Sequence, residues 1–295
     1  MSTVAVVAHT GKHIEGGLDR LRASLAHAGV DAPLWYEVPK SKKAPERVQD
    51  AVDEGADLLF VWGGDGMVQR SVDALRDPDV AVAIVPAGTA NLLATSLDIP
   101  QDIDRAVEIG LHGRRRSLDV GLVNGECFLV MAGTGFDARM IRDADRSLKD
   151  RVGRVAYLWT GARNLTADPV EATIRVDGAE WFKGDAGCVL VGNVGTVLGG
   201  LTAFPDAAPD DGVLELGVVL AEDRRDWARV LGRVVVGHPE RSPLTRMTAG
   251  REIEVELESK LPYELDGGDR AKTKHLDFSV EPGGLTVCVP EEAES

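Results

Sequence analysis

Two short stretches have residue types and spacings suited to chemistry. The first is Gly63-Gly64-Asp65-Gly66, which closes the apolar run Leu58-Leu59-Phe60-Val61-Trp62. Such a run reads as a buried strand, and the spacing of Met67, Val68, Val72 and Leu75 predicts a helix after it. Strand, glycine turn and helix together aim backbone N–H groups and a helix N-terminus at an anion. Glycine admits unusual φ angles or lets a phosphate come close, although an ordinary strand-to-helix turn uses it too. Asp65 beside a phosphate makes sense only with a cation or a proton at hand. The second stretch is Leu265-Asp266-Gly267-Gly268-Asp269. Its plain reading is a hairpin turn. Its chemical reading is a general base that takes the proton of an attacking hydroxyl.

Four further segments bear on the same chemistry. Pro86-Ala87-Gly88-Thr89-Ala90-Asn91 offers a glycine, a hydroxyl and an amide just before a helix, as a cap worth about 1 kcal/mol or as extra donors to the same nucleotide. Gly133-Thr134-Gly135-Phe136-Asp137-Ala138 matches a dinucleotide fingerprint, but it lies where the chain has turned antiparallel, and the Gly63 turn has the better context. Asn193, Gly195, Gly199 and Gly200 form a glycine-rich loop. Asp210-Asp211-Gly212 is a common turn, or a pair of acids suited to Mg²⁺.

The elements that must hold these residues divide the chain in two. Strands are expected at Thr3–Ala8, Ala32–Val38, Leu58–Trp62 and Val80–Val85, alternating with helices such as the one carrying Leu18, Leu21, Leu25 and Ala28. Strands alternating with helices indicate a parallel, doubly wound α/β sheet, and ligands of such sheets bind at the carboxyl ends of the strands. The Gly63–Gly66 and Gly88–Asn91 turns both sit at such ends. Beyond Arg114-Arg115-Arg116 short strand-like runs dominate: Ser117–Val123, Glu126–Ala132, Glu171–Val176, Ala186–Val191, Leu214–Val219, Ile253–Glu258, Lys274–Val280 and Leu285–Val289. Turn signals separate them, among them Asn124-Gly125, Asp177-Gly178 and Pro282-Gly283-Gly284. Helical stretches interrupt around 151–165 and 225–236. The expectation is a nucleotide-binding α/β domain over 1–116, then a mainly β, sandwich-like substrate domain over 117–284.

Composition narrows the function. The 295 residues are 44% hydrophobic and 27% charged, with a net charge of −15. That balance argues against a nucleic-acid partner, which needs a basic face, and against whole-molecule attraction to anionic lipid. Three cysteines far apart, without a CxxC, fit buried thiols in a reduced compartment. Six histidines without a paired spacing give no transition-metal site. The opening residues lack a signal-peptide pattern and no apolar run has transmembrane length, so a cytoplasmic protein is expected, with attachment to the inner membrane face left open.

The set of motifs resembles the diacylglycerol kinase catalytic-domain family, soluble bacterial lipid kinases related to sphingosine kinases. The matching pieces are GGDG at Gly63–Gly66, PAGTANLLA at Pro86–Ala94, GTGFDA at Gly133–Ala138, VGNVGTVLGG at Val191–Gly200, PDAAPDDGVLEL at Pro205–Leu216 and LDGG at Leu265–Gly268. They span nearly the whole chain in family order. The resemblance implies ATP as co-substrate in a cleft between two domains, Mg²⁺, and a lipid acceptor at a membrane surface, diacylglycerol by family. It also implies that the last strand, within 285–295, returns to the first domain. Carried over by position, Gly63, Gly64, Asp65, Gly66, Met67, Val68, Gln69, Gly88, Thr89 and Asn91 would contact ATP. Asp65 would orient phosphates or metal, and Asp266 would be the catalytic base. A structural Mg²⁺ would use Asp211 with the carbonyls of Ala208 and Val213. Val38 aligns loosely with a nucleotide-contacting threonine.

Three positions depart from the family pattern. Met67 stands where a threonine is usual, Ala8-His9-Thr10-Gly11-Lys12 replaces an asparagine-containing glycine–serine loop, and Gly268 stands where a glutamate is usual, with Asp269 one residue on. Two other readings therefore stay open, an NAD kinase-like enzyme and a catalytically silent lipid- or nucleotide-binding regulator. Arg146, Lys149, Arg151 and Arg154 fit either a solvated helix face or a contact with anionic lipid. Monomer and homodimer are both open.

Overall fold

The computed structural model describes residues 3–75, 79–135, 169–197 and 201–291. The chain divides into two compact units, Met1–Asp119 with Gly283–Ser295, and Val120–Pro282.

In the first unit β1 (Val4–His9), β2 (Leu34–Val38), β3 (Leu58–Gly63) and β4 (Ala81–Pro86) form a parallel sheet in the order β2-β1-β3-β4. β3 and β4 are buried along their whole length, as parallel strands covered on both faces must be. The covering helices are α1 (Gly17–His27), α2 (Ala44–Asp53), α3 (Asp65–Ala74), the short α4 (Leu92–Ser96) and α5 (Ile103–His112). α5 presents an apolar stripe of Ile103, Ala106, Val107 and Ile109 to its neighbours, β4 among them. Asp102 caps α5 by accepting the Arg105 N–H at 2.8 Å. The order in which strands are added reverses between β1 and β3, so the loops after those two strands lie at the topological switch point.

β5 (Arg114–Val123) leads into the second unit. There β6 (Glu126–Phe128), β7 (Met131–Thr134), β8 (Val170–Val176), β9 (Ala179–Ala186) and β10 (Cys188–Gly192) precede the short pair β11 (Thr196–Val197) and β12 (Leu201–Thr202). β13 (Leu214–Val219), α6 (Arg224–Val235), β14 (Thr245–Gly250), β15 (Glu252–Leu261), β16 (Tyr263–Leu265), β17 (Gly268–Asp269) and β18 (Thr273–Val289) complete it. One antiparallel layer runs β14-β13-β10-β7-β16-β17, and a second contains β9-β8-β15 with the first part of β18. β15 alternates Glu252, Glu254 and Glu256 outward with Ile253, Val255 and Leu257 inward. Those inward residues share one core with Phe128, Ile174, Val191, Leu216, Leu265 and Phe278. The N-terminal α/β architecture and the β-rich second unit agree with the sequence expectation.

Several details differ from it. The run Glu126–Ala132 is two strands, β6 and β7, and neither β9 nor β14 was anticipated. The turn expected at Pro282-Gly283-Gly284 is absent, because β18 continues through it. Pro282 is exposed there, and Gly283 takes φ +66° while donating its N–H to Asp119 Oδ1 at 2.8 Å. A proline lacks a ladder donor and a glycine accepts the left-handed angle, so the strand bends without ending. Residues 283–289 belong to the first unit, where Val287 pairs with Val82 of β4. The helix expected around 151–165, the basic residues 146, 149, 151 and 154, the end of the 133–138 motif and Gly199-Gly200 lie outside the described residues.

Candidate functional site

In the first unit, the turns after β3 and β4 pack backbone to backbone. Gly63 pairs with Pro86, and the Ala87 N–H donates to the Gly63 carbonyl at 2.8 Å. A Cβ on Gly64 would lie 2.9 Å from the Gly88 Cα, and a Cβ on Gly88 would lie 2.3 Å from the Gly64 Cα. These two glycines are therefore required by the fold itself. The Gly88 N–H, expected to face a phosphate, donates to Asn91 Oδ1 at 2.8 Å, and Asn91 Nδ2 returns a bond to the Gly88 carbonyl at 3.1 Å. Asn91 sits at φ +48° to make this closure.

Asp65 also serves the fold. Its carboxylate accepts the Leu92 N–H at the start of α4, 27 residues on, through Oδ1. Burial pushes its carboxyl above the ordinary range, against the opposing effect of backbone donors at Leu92, Asp65, Leu93 and Asn91. Met67, Val68 and Gln69 turn their side chains into the core. Met67 lies directly against Gly63, so none of the three presents a side chain at the surface. Val38 is buried as well, and its carbonyl accepts the Thr10 N–H at 3.0 Å.

Gly66 and Thr89 differ from these residues. Both are exposed, and a Cβ on Gly66 would meet nothing within 4 Å. Gly66 occupies the first turn of α3, where the helix dipole favours negative charge. A glycine that neither strain nor packing demands leaves room for something outside the protein to approach the backbone. Nearby, the Lys12 carbonyl accepts the Trp62 indole N–H at 3.2 Å, which ties the loop after β1 to the end of β3. In that loop Gly11 donates to His9 Nδ1 at 3.0 Å, and burial followed by the Lys12 charge lowers the His9 pKa. A groove of about 670 Å³ along α1 and α5, lined by residues such as Arg20, His27, Asp104 and His112, contains none of the candidate residues.

In the second unit Asp266 is buried in the two-residue turn between β16 and β17, with φ +46° at Asp266 and +77° at Gly267. The plain hairpin reading is therefore the geometry found. The carboxylate is also engaged: Oδ1 accepts the N–H groups of Val130 at 2.9 Å and Met131 at 3.1 Å, and Oδ2 accepts that of Leu129 at 2.7 Å. The Asp266 N–H donates in turn to the Met131 carbonyl at 2.9 Å. Asn193 holds the same segment from another side, through Nδ2 to the Leu129 carbonyl at 3.2 Å and its N–H to the Val130 carbonyl at 2.9 Å. Sequence reasoning placed Asn193 in a loop without this role, and it did not single out Arg270 or Glu126, which lie beside the Asp266 turn. No local spacing signals partners more than 60 residues apart. Asp269 is exposed on β17.

Asp211 Oδ1 accepts the Val213 N–H at 3.1 Å, an Asx turn. Burial, then the charges of Asp206 and Asp211, raise the Glu215 carboxyl above its ordinary range. Concentrated negative charge suits a hard cation. Among the described residues no group of three or more acidic, histidine or cysteine side chains can hold a metal ion. A site here would therefore rest on Asp211, the Ala208 and Val213 carbonyls, and water.

Comparison with known proteins agrees with the two-unit plan. Residues 4–123 match the diacylglycerol kinase catalytic domain, and residues 130–289 match the YegS C-terminal NAD kinase beta sandwich-like domain. A "probable lipid kinase YegS-like" of Cronobacter sakazakii is 30% identical over 84% of this chain and 83% of its own. A protein of the same description from Pseudomonas aeruginosa is 30% identical over 82% of this chain and 80% of its own. Among solved structures, a diacylglycerol kinase from Bacillus anthracis superposes with a TM-score of 0.79 at 22% identity, covering 98% of this chain and 97% of that one. An NAD kinase from Archaeoglobus fulgidus in complex with ATP shares the fold more distantly, with a TM-score of 0.57 at 13% identity over 98% and 94%. The chain belongs to the diacylglycerol kinase catalytic-domain family, in the branch that carries the YegS-type C-terminal domain.

Proposed function

We propose that this protein is an ATP- and Mg²⁺-dependent lipid kinase that transfers the γ-phosphate of ATP to a lipid hydroxyl, with diacylglycerol as the acceptor. The observation that carries the reading is Gly66. It lies within the stretch matching the catalytic domain, at the first turn of a helix, and is open to close approach by a phosphate. In this reading Gly66 and Thr89 face the nucleotide. Gly63, Gly64, Gly88, Asn91 and Asp65 act through the fold, by holding two turns together. Met67, Val68 and Gln69 contribute backbone and core packing.

Asp266 takes the proton of the lipid hydroxyl as its oxygen attacks the γ-phosphorus, and ADP leaves with the bridging oxygen. The three amide donors fix the carboxylate before substrate arrives, and Asn193 holds the segment that carries them, which removes an orientation cost from the reaction. Mg²⁺ would neutralise phosphate charge. A separate structural Mg²⁺ at Asp211, with the Ala208 and Val213 carbonyls, would hold the loop before β13.

A second reading has its own support. A carboxylate already engaged by three amides suits a structural turn, as in a nucleotide-binding regulator without transfer activity. The sharing of a fold with an NAD kinase motivates a third reading, with NAD as acceptor. Incubation with γ-labelled ATP, Mg²⁺ and either total lipid extract in vesicles or NAD separates all three. Label in the lipid phase supports the proposal. Label in NAD, or ATP binding without transfer, replaces it.

A further inference from the structure

Arg270 is the cation beside the Asp266 turn, and its hydrogen bonds are unusually complete. Its Nε donates to Glu126 Oε2 at 2.7 Å, and its Nη2 donates to Glu126 Oε1, a bidentate pair with both side chains mostly buried. Its Nη1 donates to the carbonyls of Gly268 and Asp269, each at 3.2 Å. Its backbone N–H donates to the Tyr263 carbonyl at 2.8 Å, across the hairpin. The guanidinium thus lies over the residues that follow the turn. A Cβ on Gly268 would come within 2.9 Å of Nη1, so the space a side chain at 268 needs is taken by Arg270. Glu126, on β6, anchors the guanidinium from the chain that leads into the Leu129–Met131 segment bonded to Asp266.

We propose that Arg270, held by Glu126, is a positioning residue for Asp266: it cinches the β16–β17 turn and sets a fixed positive charge beside the carboxylate. The inference rests on the reading of Asp266 as the base. Its geometry is independent of the acceptor lipid. The charged and titratable groups around the guanidinium are Glu126 from β6, Tyr263 from β16 and Asp266 from the turn.

The charges give opposite signs for the two partners. Arg270→Gln removes the cation and leaves the Glu126 anion, which disfavours ionised Asp266. The acid limb of kcat/KM then moves to higher pH by about half a unit or more. Glu126→Gln leaves the cation unopposed, and the limb moves to lower pH. Arg270→Lys keeps the charge and restores the limb, with kcat still reduced because one ammonium cannot make the fork. A purely structural clamp would lower activity at every pH in both variants and move neither limb, and that result overturns the proposal. Thermal unfolding supplies the arm that needs no activity. Arg270→Gln and Asp266→Asn are expected to be non-additive in Tm, whereas strict additivity overturns the proposal even if no lipid is phosphorylated. Absence of transfer by wild type together with non-additive unfolding removes the base reading and keeps the coupling.

Discussion

Replacing Gly66 by alanine separates what the fold needs from what a ligand needs. Beyond its own helical turn the added methyl meets nothing within 4 Å, and the position is in the first turn of α3. Alanine is a better helix residue than glycine by up to about 1 kcal/mol, so stability should rise by about 0.5–1 kcal/mol and Tm by about 1–4 °C. If a phosphate rests on that backbone, the same methyl overpacks the contact. An overpacking cost of about 1–3 kcal/mol weakens ATP binding about 5- to 150-fold. Calorimetric titration with Mg²⁺-ATP and a melting curve on the same sample read both effects. Increased stability with unchanged ATP affinity would refute the reasoning, because nothing would then approach Gly66. A loss of stability would show that the protein itself requires the glycine.

Other outcomes follow from the same geometry. Gly88→Ala drives a Cβ to 2.3 Å from the Gly64 Cα and 2.5 Å from Asn91 Oδ1; the expected destabilisation of about 2–4 kcal/mol can be read in urea. Asp65→Asn tests the buried carboxyl. The folded-state pKa of Asp65 is raised, so its contribution is fully present below the unfolded value and is lost as pH rises through the folded one. The variant should match wild type in acid and gain relative stability as pH increases, seen as a widening Tm difference. Cys127, Cys188 and Cys288 are all buried; burial pushes the Cys288 thiol up to about 11 and the Cys188 thiol higher still. Ellman's reagent should label none of the three in the native protein and all three after denaturation.

The parallel half of the fold was legible because its strands are continuous apolar runs ended by glycine turns. β9 was not, because half of Ala179–Ala186 is exposed and its residues show no clean alternation. β14 was missed for a similar reason, with Arg246 and Ala249 exposed along it. β18 was split because Pro-Gly-Gly ordinarily ends a strand, and the bond from Gly283 to Asp119, 164 residues away, has no local trace. At the site, sequence spacing located the turns but not the partners of their side chains. Asp65 bonds a helix start in the next turn, and Asp266 bonds amides 135–137 residues earlier. Tertiary partners of this kind decide whether an acid faces a ligand or its own backbone.

The most direct test is turnover with Mg²⁺-ATP and diacylglycerol in vesicles, measured for wild type and Asp266→Asn with ATP affinity and Tm recorded for both. The account predicts one phosphatidate formed per ADP released. It also predicts turnover about 10²–10⁴-fold slower in the variant at nearly unchanged ATP affinity. ADP release without a phosphorylated lipid, or equal turnover in a folded Asp266→Asn protein, would contradict it.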